Sequence, residues 1–362
     1  MPPCIRGASL EGFAALARSV GLDPARQIAR AGLAVGDLAS PAQWIPASAA
    51  AWLLELSAVD SGCEDFGLRL AERRRLAILG PLSVVLREEP DLRSALVLLM
   101  RYEHSYNEAI SLRLAEANGL ATVRVWLDFG EPAPTRQCLE LAVASLLQVI
   151  RWLVRPDWQP QGVRFSHSAP ERLTTHRRLL GPQLQFDSDF TGLVFRVREL
   201  ADTNVLADPL LRPYRPQLLR AVPPPRARTV VDQVRELVET LLPVGRYSMR
   251  QVAHGLGLTT RTLRRRLDDE DEDYTSIVND VRATMAERYL ANDRLSLTDV
   301  SCQLGFAAPS AFSRWFRNRF GLSPTGWRQA SRGVLHDRGA AVRSSDRPAE
   351  AGQRAVVDRT GR

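Results

Sequence analysis

Two stretches near the end of the chain decide its reading: Val252-Ala-His-Gly-Leu-Gly257-Leu258 and, 48 residues later, Val300-Ser-Cys-Gln-Leu-Gly305-Phe306. Each has the pattern of a short helix that stops at a glycine. Gly257 and Gly305 can take the positive φ of a sharp exit without a Cβ clash. A second helix is expected after each turn. Leu263 and Leu267 lie four residues apart in the first, as do Phe312 and Phe316 in the second, so each pair shares a helix face. The second pair is displaced by 49 residues rather than 48, which makes the second turn one residue longer.

The ends of these helices carry matching cap chemistry. Ser248 precedes Gln251 by three positions, a reciprocal capping box, and Ser296 precedes Asp299 in an acidic variant of it. Thr259 suits the N-cap of the next helix, and Pro309 suits the first turn of its counterpart. A helix, a tight glycine turn and a helix anchored from beneath describe a helix-turn-helix, here twice. Between the units, Tyr274–Leu290 carries Ile277, Val278, Val281, Met285, Tyr289 and Leu290 at helical spacing. A helix of about 15–17 residues is roughly 23–26 Å long. That is comparable with one DNA turn of roughly 34 Å, so both second helices can enter successive major grooves.

The faces then name the contact residues. With Leu263 and Leu267 inward, Arg261, Thr262, Arg264 and Arg265 are the polar positions left for DNA. Arginine can bind guanine through two hydrogen bonds, about 1–3 kcal/mol of discrimination for a good pair. Around Phe312 and Phe316 the corresponding set is Pro309, Ser310, Ser313, Arg314 and Arg317. Pro309 offers only shape or an apolar contact, so fewer direct hydrogen bonds are expected from this helix. The acidic run Asp268-Asp-Glu-Asp-Glu-Asp273 would repel phosphate and must point away from DNA; it reads as a solvated loop, with contact to arginines of the N-terminal part as the alternative.

Working outward, the clearest boundary is Val222-Pro-Pro-Pro-Arg226, because consecutive prolines donate no backbone hydrogen bonds and favour a stiff, extended connection. From Val230 a helical stripe runs through Val231, Val234, Val238, Leu241 and Leu242. The expected organisation is an α+β effector-binding or dimerisation domain over 1–221, a linker over 222–229, an all-α double helix-turn-helix domain over 230–330, and a disordered tail over 331–362. In the first domain helices are expected at Pro24–Ala31, Ala49–Ala58, Cys63–Glu72, Asp91–Met100 and Thr135–Leu153. Strands are expected at Ala109–Leu114, Ala121–Phe129, Gly162–Phe165, Leu184–Phe186 and Gly192–Val197.

Composition narrows the function. All 48 basic residues are arginine, which reads first as coding bias. The formal net charge is +7, with the excess concentrated after residue 225. Four scattered cysteines, Cys4, Cys63, Cys138 and Cys302, form no disulfide framework or zinc spacing and suit a reducing compartment. No apolar run approaches membrane-spanning length, and Met1–Ser9 has no secretory signal pattern. His104, His167 and His176 are dispersed and read as surface or hydrogen-bonded histidines, Asp187 and Asp189 lack an acid–base partner, and Arg73–Arg75 reads as a solvated helix face, with recognition of an anion as the alternative. No glycine-rich phosphate loop occurs. Cofactors, metal and catalytic residues are therefore expected to be none.

At this point the end of the chain resembles the AraC/XylS family of bacterial transcription regulators. The resemblance is carried by Leu295–Phe306, by Pro309-Ser-Ala-Phe-Ser-Arg-Trp-Phe316, by Phe320-Gly-Leu-Ser-Pro324 and by Gly257–Leu267. It implies that the family's base-reading positions fall on Arg261, Arg264, Arg265, Pro309, Ser310, Ser313 and Arg314. Two departures stand out: Pro309 replaces a polar side chain, and the acidic run occupies the place of a Glu-Gly turn. More diffusely, Leu79-Gly-Pro, the helix near Leu92–Tyr102, the strand through Val125 and the Leu206–Leu219 end resemble the arabinose-binding-type sensory domain of one subgroup. That resemblance implies effector binding or dimerisation, not arabinose.

The expectation is thus a cytoplasmic, sequence-specific transcription factor acting as an activator. Its expected partners are promoter DNA, an unknown small-molecule effector, a second copy of the chain and RNA polymerase, with no membrane. The rivals are an enzyme in residues 1–220 fused to a DNA-binding module, which no catalytic pattern supports, and a protein-interaction adaptor whose helical duplication is purely structural.

Overall fold

A computed structural model describes residues 2–38, 40–207, 212–222, 229–290 and 295–329. Most of the expected linker and the expected disordered tail lie outside the described residues. The chain divides into two compact units, Met1–Ala227 and Arg228–Arg362.

The N-terminal unit is mixed α/β. Its first half runs β1 (Cys4–Arg6), α1 (Phe13–Ser19), α2 (Pro24–Arg30), β2 (Trp44–Pro46), α3 (Ala47–Ser61), α4 (Phe66–Glu72), α5 (Pro81–Arg87) and α6 (Leu92–Tyr102). The second half runs β3 (Ile110–Ala117), β4 (Leu120–Leu127), α7 (Arg136–Leu153), β5 (Gly162–Arg164), α8 (Thr174–Leu180), β6 (Leu184–Gln185), β7 (Thr191–Arg196) and α9 (Arg215–Ala221). Short side chains start two of the helices: Asp23 accepts from the Ala25 N–H at 3.0 Å and Asp91 from the Ser94 N–H at 2.8 Å.

Five strands form one sheet in the order β3-β4-β7-β5-β6, antiparallel except for the β5–β6 pair. Alternation decides its two faces. Val123 and Val125 of β4, Leu193 and Phe195 of β7 and Val163 of β5 are buried. Helix α7 packs on β4 and β7, contributing buried Val143, Leu147 and Ile150 to the same core. The residues between them, including Arg113, Arg124 and Arg164, point to the opposite face. Gly192 is required where it stands, because a Cβ there would lie 2.1 Å from the Val123 carbonyl oxygen.

The strand expected at Ala109–Leu114 extends to Ala117, since the Asn118-Gly119 turn closes an eight-residue hairpin with β4. β1 and β2, joined with Ile5 opposite Ile45, were not foreseen. Three-residue strands are too short to display alternation.

The C-terminal unit is all-α: α10 (Val230–Leu241), α11 (Met249–Gly255), α12 (Thr260–Asp268), α13 (Tyr274–Leu290), α14 (Leu297–Gln303) and α15 (Pro309–Phe320). The Val231, Val234, Val238 and Leu242 stripe of α10 meets Ile277, Val281 and Met285 of α13 in a separate core.

Candidate nucleic-acid interface

Helix α11 opens on the foreseen capping box. The Ser248 hydroxyl accepts from the Gln251 N–H at 3.4 Å while Gln251 Oε1 accepts from the Ser248 N–H at 3.1 Å. Gly257 leaves the helix at φ +67°, and the Leu258 N–H returns to the Ala253 carbonyl at 2.8 Å, which closes the turn. Thr259 then caps α12 by accepting from the Thr262 N–H at 3.1 Å. Leu263 and Leu267 are buried, so Arg261, Arg264 and Arg265 are left exposed. Thr262 is half-buried, and its hydroxyl stands 2.8 Å from that of Thr259.

The second pair repeats the construction. Ser296 and Asp299 form a capping box with bonds of 3.1 and 3.2 Å, and Gly305 turns at φ +70°. The Phe306 N–H returns to the Ser301 carbonyl at 3.0 Å. Ala308 offers no side-chain cap to α15, and Pro309 begins it with an imide nitrogen that needs no partner. Phe312 and Phe316 are fully buried in an aromatic cluster with Phe306, Trp315, Phe320 and Trp327. Pro309, Ser310, Arg314 and Arg317 are exposed and Ser313 is half-buried. Among the described residues, no ion pair holds Arg261, Arg264, Arg265, Arg314 or Arg317. Their guanidinium groups are available to phosphate oxygens and base edges. Arg319 differs, since its Nη2 donates to Asp280 Oδ1 at 2.8 Å.

Helix α13 ties the two pairs together through residues that periodicity did not single out. Arg282 donates from Nε to the Leu304 carbonyl at 3.2 Å and from Nη2 to the Tyr247 hydroxyl at 2.7 Å. Its guanidinium also lies against the Tyr247 and Phe306 rings, 5.1 and 4.8 Å from their centroids. The Tyr247 hydroxyl donates onward to the Gly305 carbonyl at 3.2 Å. The Tyr274 hydroxyl donates to the Tyr247 carbonyl, and its pKa is pushed up to about 12, chiefly by burial. One turn earlier on α13, Trp315 Nε1 donates to Asn279 Oδ1 at 3.2 Å.

The acidic run is not simply a solvated loop. Glu270 accepts from the N–H groups of Val230 and Val231 at 3.0 and 3.2 Å, docking a carboxylate on the first turn of α10. Asp273 accepts from Thr275 and Ser276 at 2.9 and 3.0 Å and so caps α13. Glu272 stands 3.6 Å from Arg235. Three of the six acids are consumed by helix ends and packing inside the C-terminal unit. The available signal was position: an acid just ahead of an apolar helical run is a cap.

In the N-terminal unit the reading of the histidines gains its partner and the reading of Arg73–Arg75 changes. His167 and His176, distant from Glu140 in sequence, converge on it: His176 Nε2 lies 3.0 Å and His167 Nε2 3.6 Å from Glu140 Oε1, with Phe165 and Phe186 packed on the rings. Burial pushes the His167 pKa down, with Glu140 opposing it. Arg74 is not on a solvated face either. It donates to Ser145 Oγ at 3.1 Å and to the Ser9 carbonyl, and burial brings its pKa down to about 10. Among the described residues no group of His, Cys, Asp and Glu could hold a metal ion, and no helix is long and apolar enough to cross a membrane.

Comparison with known proteins places these features. The family described as "Arabinose-binding domain of AraC transcription regulator, N-term" matches residues 21–204, just over half of the chain, and a helix-turn-helix domain family matches residues 252–330. The chain is 29% identical over 326 residues to the HTH-type transcriptional regulator VirS of Mycobacterium tuberculosis, covering 90% of this chain and 96% of that one. It is 26% identical over 267 residues to the ornithine utilization regulator of Pseudomonas aeruginosa, covering 73% and 78%. The crystal structure of transcriptional regulator CdpR from Pseudomonas aeruginosa superposes with a TM-score of 0.40 at 21% identity, covering 84% of this chain and 96% of that chain. The matched families and relatives are regulatory rather than catalytic, and the chain is a DNA-binding regulator, not an enzyme. It belongs to the AraC/XylS family of helix-turn-helix transcriptional regulators.

Proposed function

We propose that the chain is a cytoplasmic transcriptional activator that reads promoter DNA through two helix-turn-helix units, α11–α12 and α14–α15, joined by α13. Arg261, Thr262, Arg264 and Arg265 act in the first unit, and Pro309, Ser310, Ser313, Arg314 and Arg317 in the second. The N-terminal unit couples a small-molecule effector or dimerisation to this reading, and RNA polymerase is the partner of the activator. No cofactor takes part. The single observation that carries the proposal is the exposed arginine face of α12, without an ion pair among the described residues, above buried Leu263 and Leu267, matched by the exposed start of α15 above buried Phe312 and Phe316.

The two faces are chemically unequal. Three arginines on α12 favour guanine edges, whereas Pro309 and two serines on α15 favour shape and methyl contacts. The four free cysteines suit the reducing cytoplasm. Selection of bound duplexes from a random pool, with and without cell metabolites, tests this reading. The expected result is a site with two preferred segments about one helical turn apart and richer in guanine on one side. Absence of any enriched duplex would overturn it.

A further inference from the structure

We infer that Tyr247 and Arg282 are positioning residues for the two reading helices: together they lock the turn between α14 and α15 to the segment ahead of α11, and so set the spacing of the two DNA segments the chain accepts. The inference deepens the reading above and rests on it for the consequence at DNA, though not for the lock itself.

The lock is built along α13. The Tyr274 hydroxyl donates to the backbone carbonyl of Tyr247, one residue ahead of the Ser248 cap of α11. At its other end the Tyr247 side chain accepts from Arg282 Nη2 at 2.7 Å. Tyr274 and Arg282 are eight residues apart on α13, about 12 Å at 1.5 Å per residue. The tyrosine is thus fixed at both backbone and hydroxyl. That hydroxyl donates to the Gly305 carbonyl at 3.2 Å, and Arg282 Nε donates to the Leu304 carbonyl at 3.2 Å. A phenol both accepts and donates, so Tyr247 bridges its two partners with each bond satisfied. Leu304 and Gly305 form the exit of α14, where carbonyls have no partner within the helix. Side chains from α13 and from the segment ahead of α11 satisfy them.

The fit is close as well as bonded. A Cβ on Gly305 would stand 2.9 Å from Tyr247 Cε1. The Arg282 guanidinium lies against the Tyr247 and Phe306 rings, and Phe306 packs on Phe312 and Trp315 of α15. Moving the guanidinium would therefore move the aromatic base of the second reading helix. Among the described residues no ion pair holds Arg282, so its planar fork and stacking are what it contributes here. Trp315 to Asn279 and Arg319 to Asp280 tie the second unit to α13, whereas Tyr247 ties it to the first. One inserted base pair shifts a DNA segment by about 3.4 Å and turns it by roughly 35°. A locked pair of helices cannot follow that displacement; a hinged pair can.

The test reads protein and DNA separately, in the full chain. Spin labels at Arg266→Cys on α12 and Asn318→Cys on α15, both exposed and outside the proposed contact set, report the distance between the reading helices once the four native cysteines are replaced by alanine. The parent should give one narrow distribution. Tyr247→Phe, which keeps the ring and loses both hydroxyl bonds, should broaden or displace it, and so should Arg282→Lys. Affinity is then compared between duplexes carrying the selected segments at their native spacing and with one base pair inserted. The insertion should cost the parent at least about tenfold and the two variants less than about threefold. Ser296→Ala weakens the cap of α14 outside the lock and should keep both the narrow distance and the spacing preference. An unchanged distance in Tyr247→Phe and Arg282→Lys overturns the inference. So does an unchanged spacing preference, or an equal effect in Ser296→Ala. Broadening in the two variants when the parent selects no duplex supports the lock and counts against the regulator reading.

Discussion

Arg282 and Tyr247 are joined by a 2.7 Å hydrogen bond that links the middle of α13 to the segment leading into α11. The same guanidinium also reaches the Leu304 carbonyl at the end of α14. One side chain therefore ties the first helical pair, the central helix and the second turn. Replacing it by alanine should cost about 2–3 kcal/mol, since two charge-assisted bonds to half-buried acceptors are lost. Arg282→Lys should recover only part of this, because an ammonium cannot reproduce the planar fork or its stacking. Urea unfolding of the full chain followed on the C-terminal transition checks both values.

The two turn glycines should respond unequally to alanine. Gly257 and Gly305 share a positive φ, so each substitution carries a backbone cost of about 1–2 kcal/mol. At Gly257 nothing stands within 4 Å of the added Cβ, whereas at Gly305 the Tyr247 ring carbon Cε1 lies 2.9 Å away and Tyr247 is held by Arg282. Gly305→Ala should therefore be the more destabilising by about 1 kcal/mol or more. Denaturant midpoints of the two variants give the comparison.

Glu270 should make a pH-dependent contribution. Burial opposes its charge, but the N–H groups of Val230 and Val231 and the Thr229 hydroxyl outweigh that and hold its carboxyl below the usual glutamate range. A depressed carboxylate pKa stabilises the fold above the unfolded value of about 4.3 and loses that contribution as pH falls through the folded value. Glu270→Gln should thus be less stable than the parent at neutral pH, and the gap should close in acid. Unfolding midpoints at pH 7 and below pH 4 decide it.

His167 should act with the same pH sign for a different reason. Burial lowers its pKa, so the unfolded chain takes up a proton first as pH falls below about 6.5. Stability then declines through the window between the unfolded and the lower folded value. In His167→Gln this part of the decline should disappear, as read from unfolding of the N-terminal unit between pH 7.5 and 5.

Local chemistry made much of the C-terminal unit legible. Ser248, Thr259, Ser296, Gly257 and Gly305 act within a turn of themselves, and Leu263, Leu267, Phe312 and Phe316 follow a single helical period. Arg282 was illegible because its partners, Tyr247 and Leu304, are 35 and 22 residues away and meet only in the folded core. The Glu140–His167–His176 cluster was hidden likewise, since three separate segments supply it. Alternation along β4 separates Val123 and Val125 from Arg124, yet placing Arg113 and Arg164 on the Arg124 face needs the register with β3, β7 and β5. Glu270 carried a misleading signal: six acids in succession look solvated, although the backbone at Val230 and Val231 requires one of them.

The most direct test of the DNA-reading assignment is the affinity of Arg264→Ala for the selected duplex and for single-base variants of it, measured across salt concentration. The base-reading role predicts about five- to hundredfold weaker binding to the selected duplex and a flattened preference at one guanine position. Unchanged affinity and preference, or a loss that is uniform across sequences with a shallower salt dependence, would contradict it.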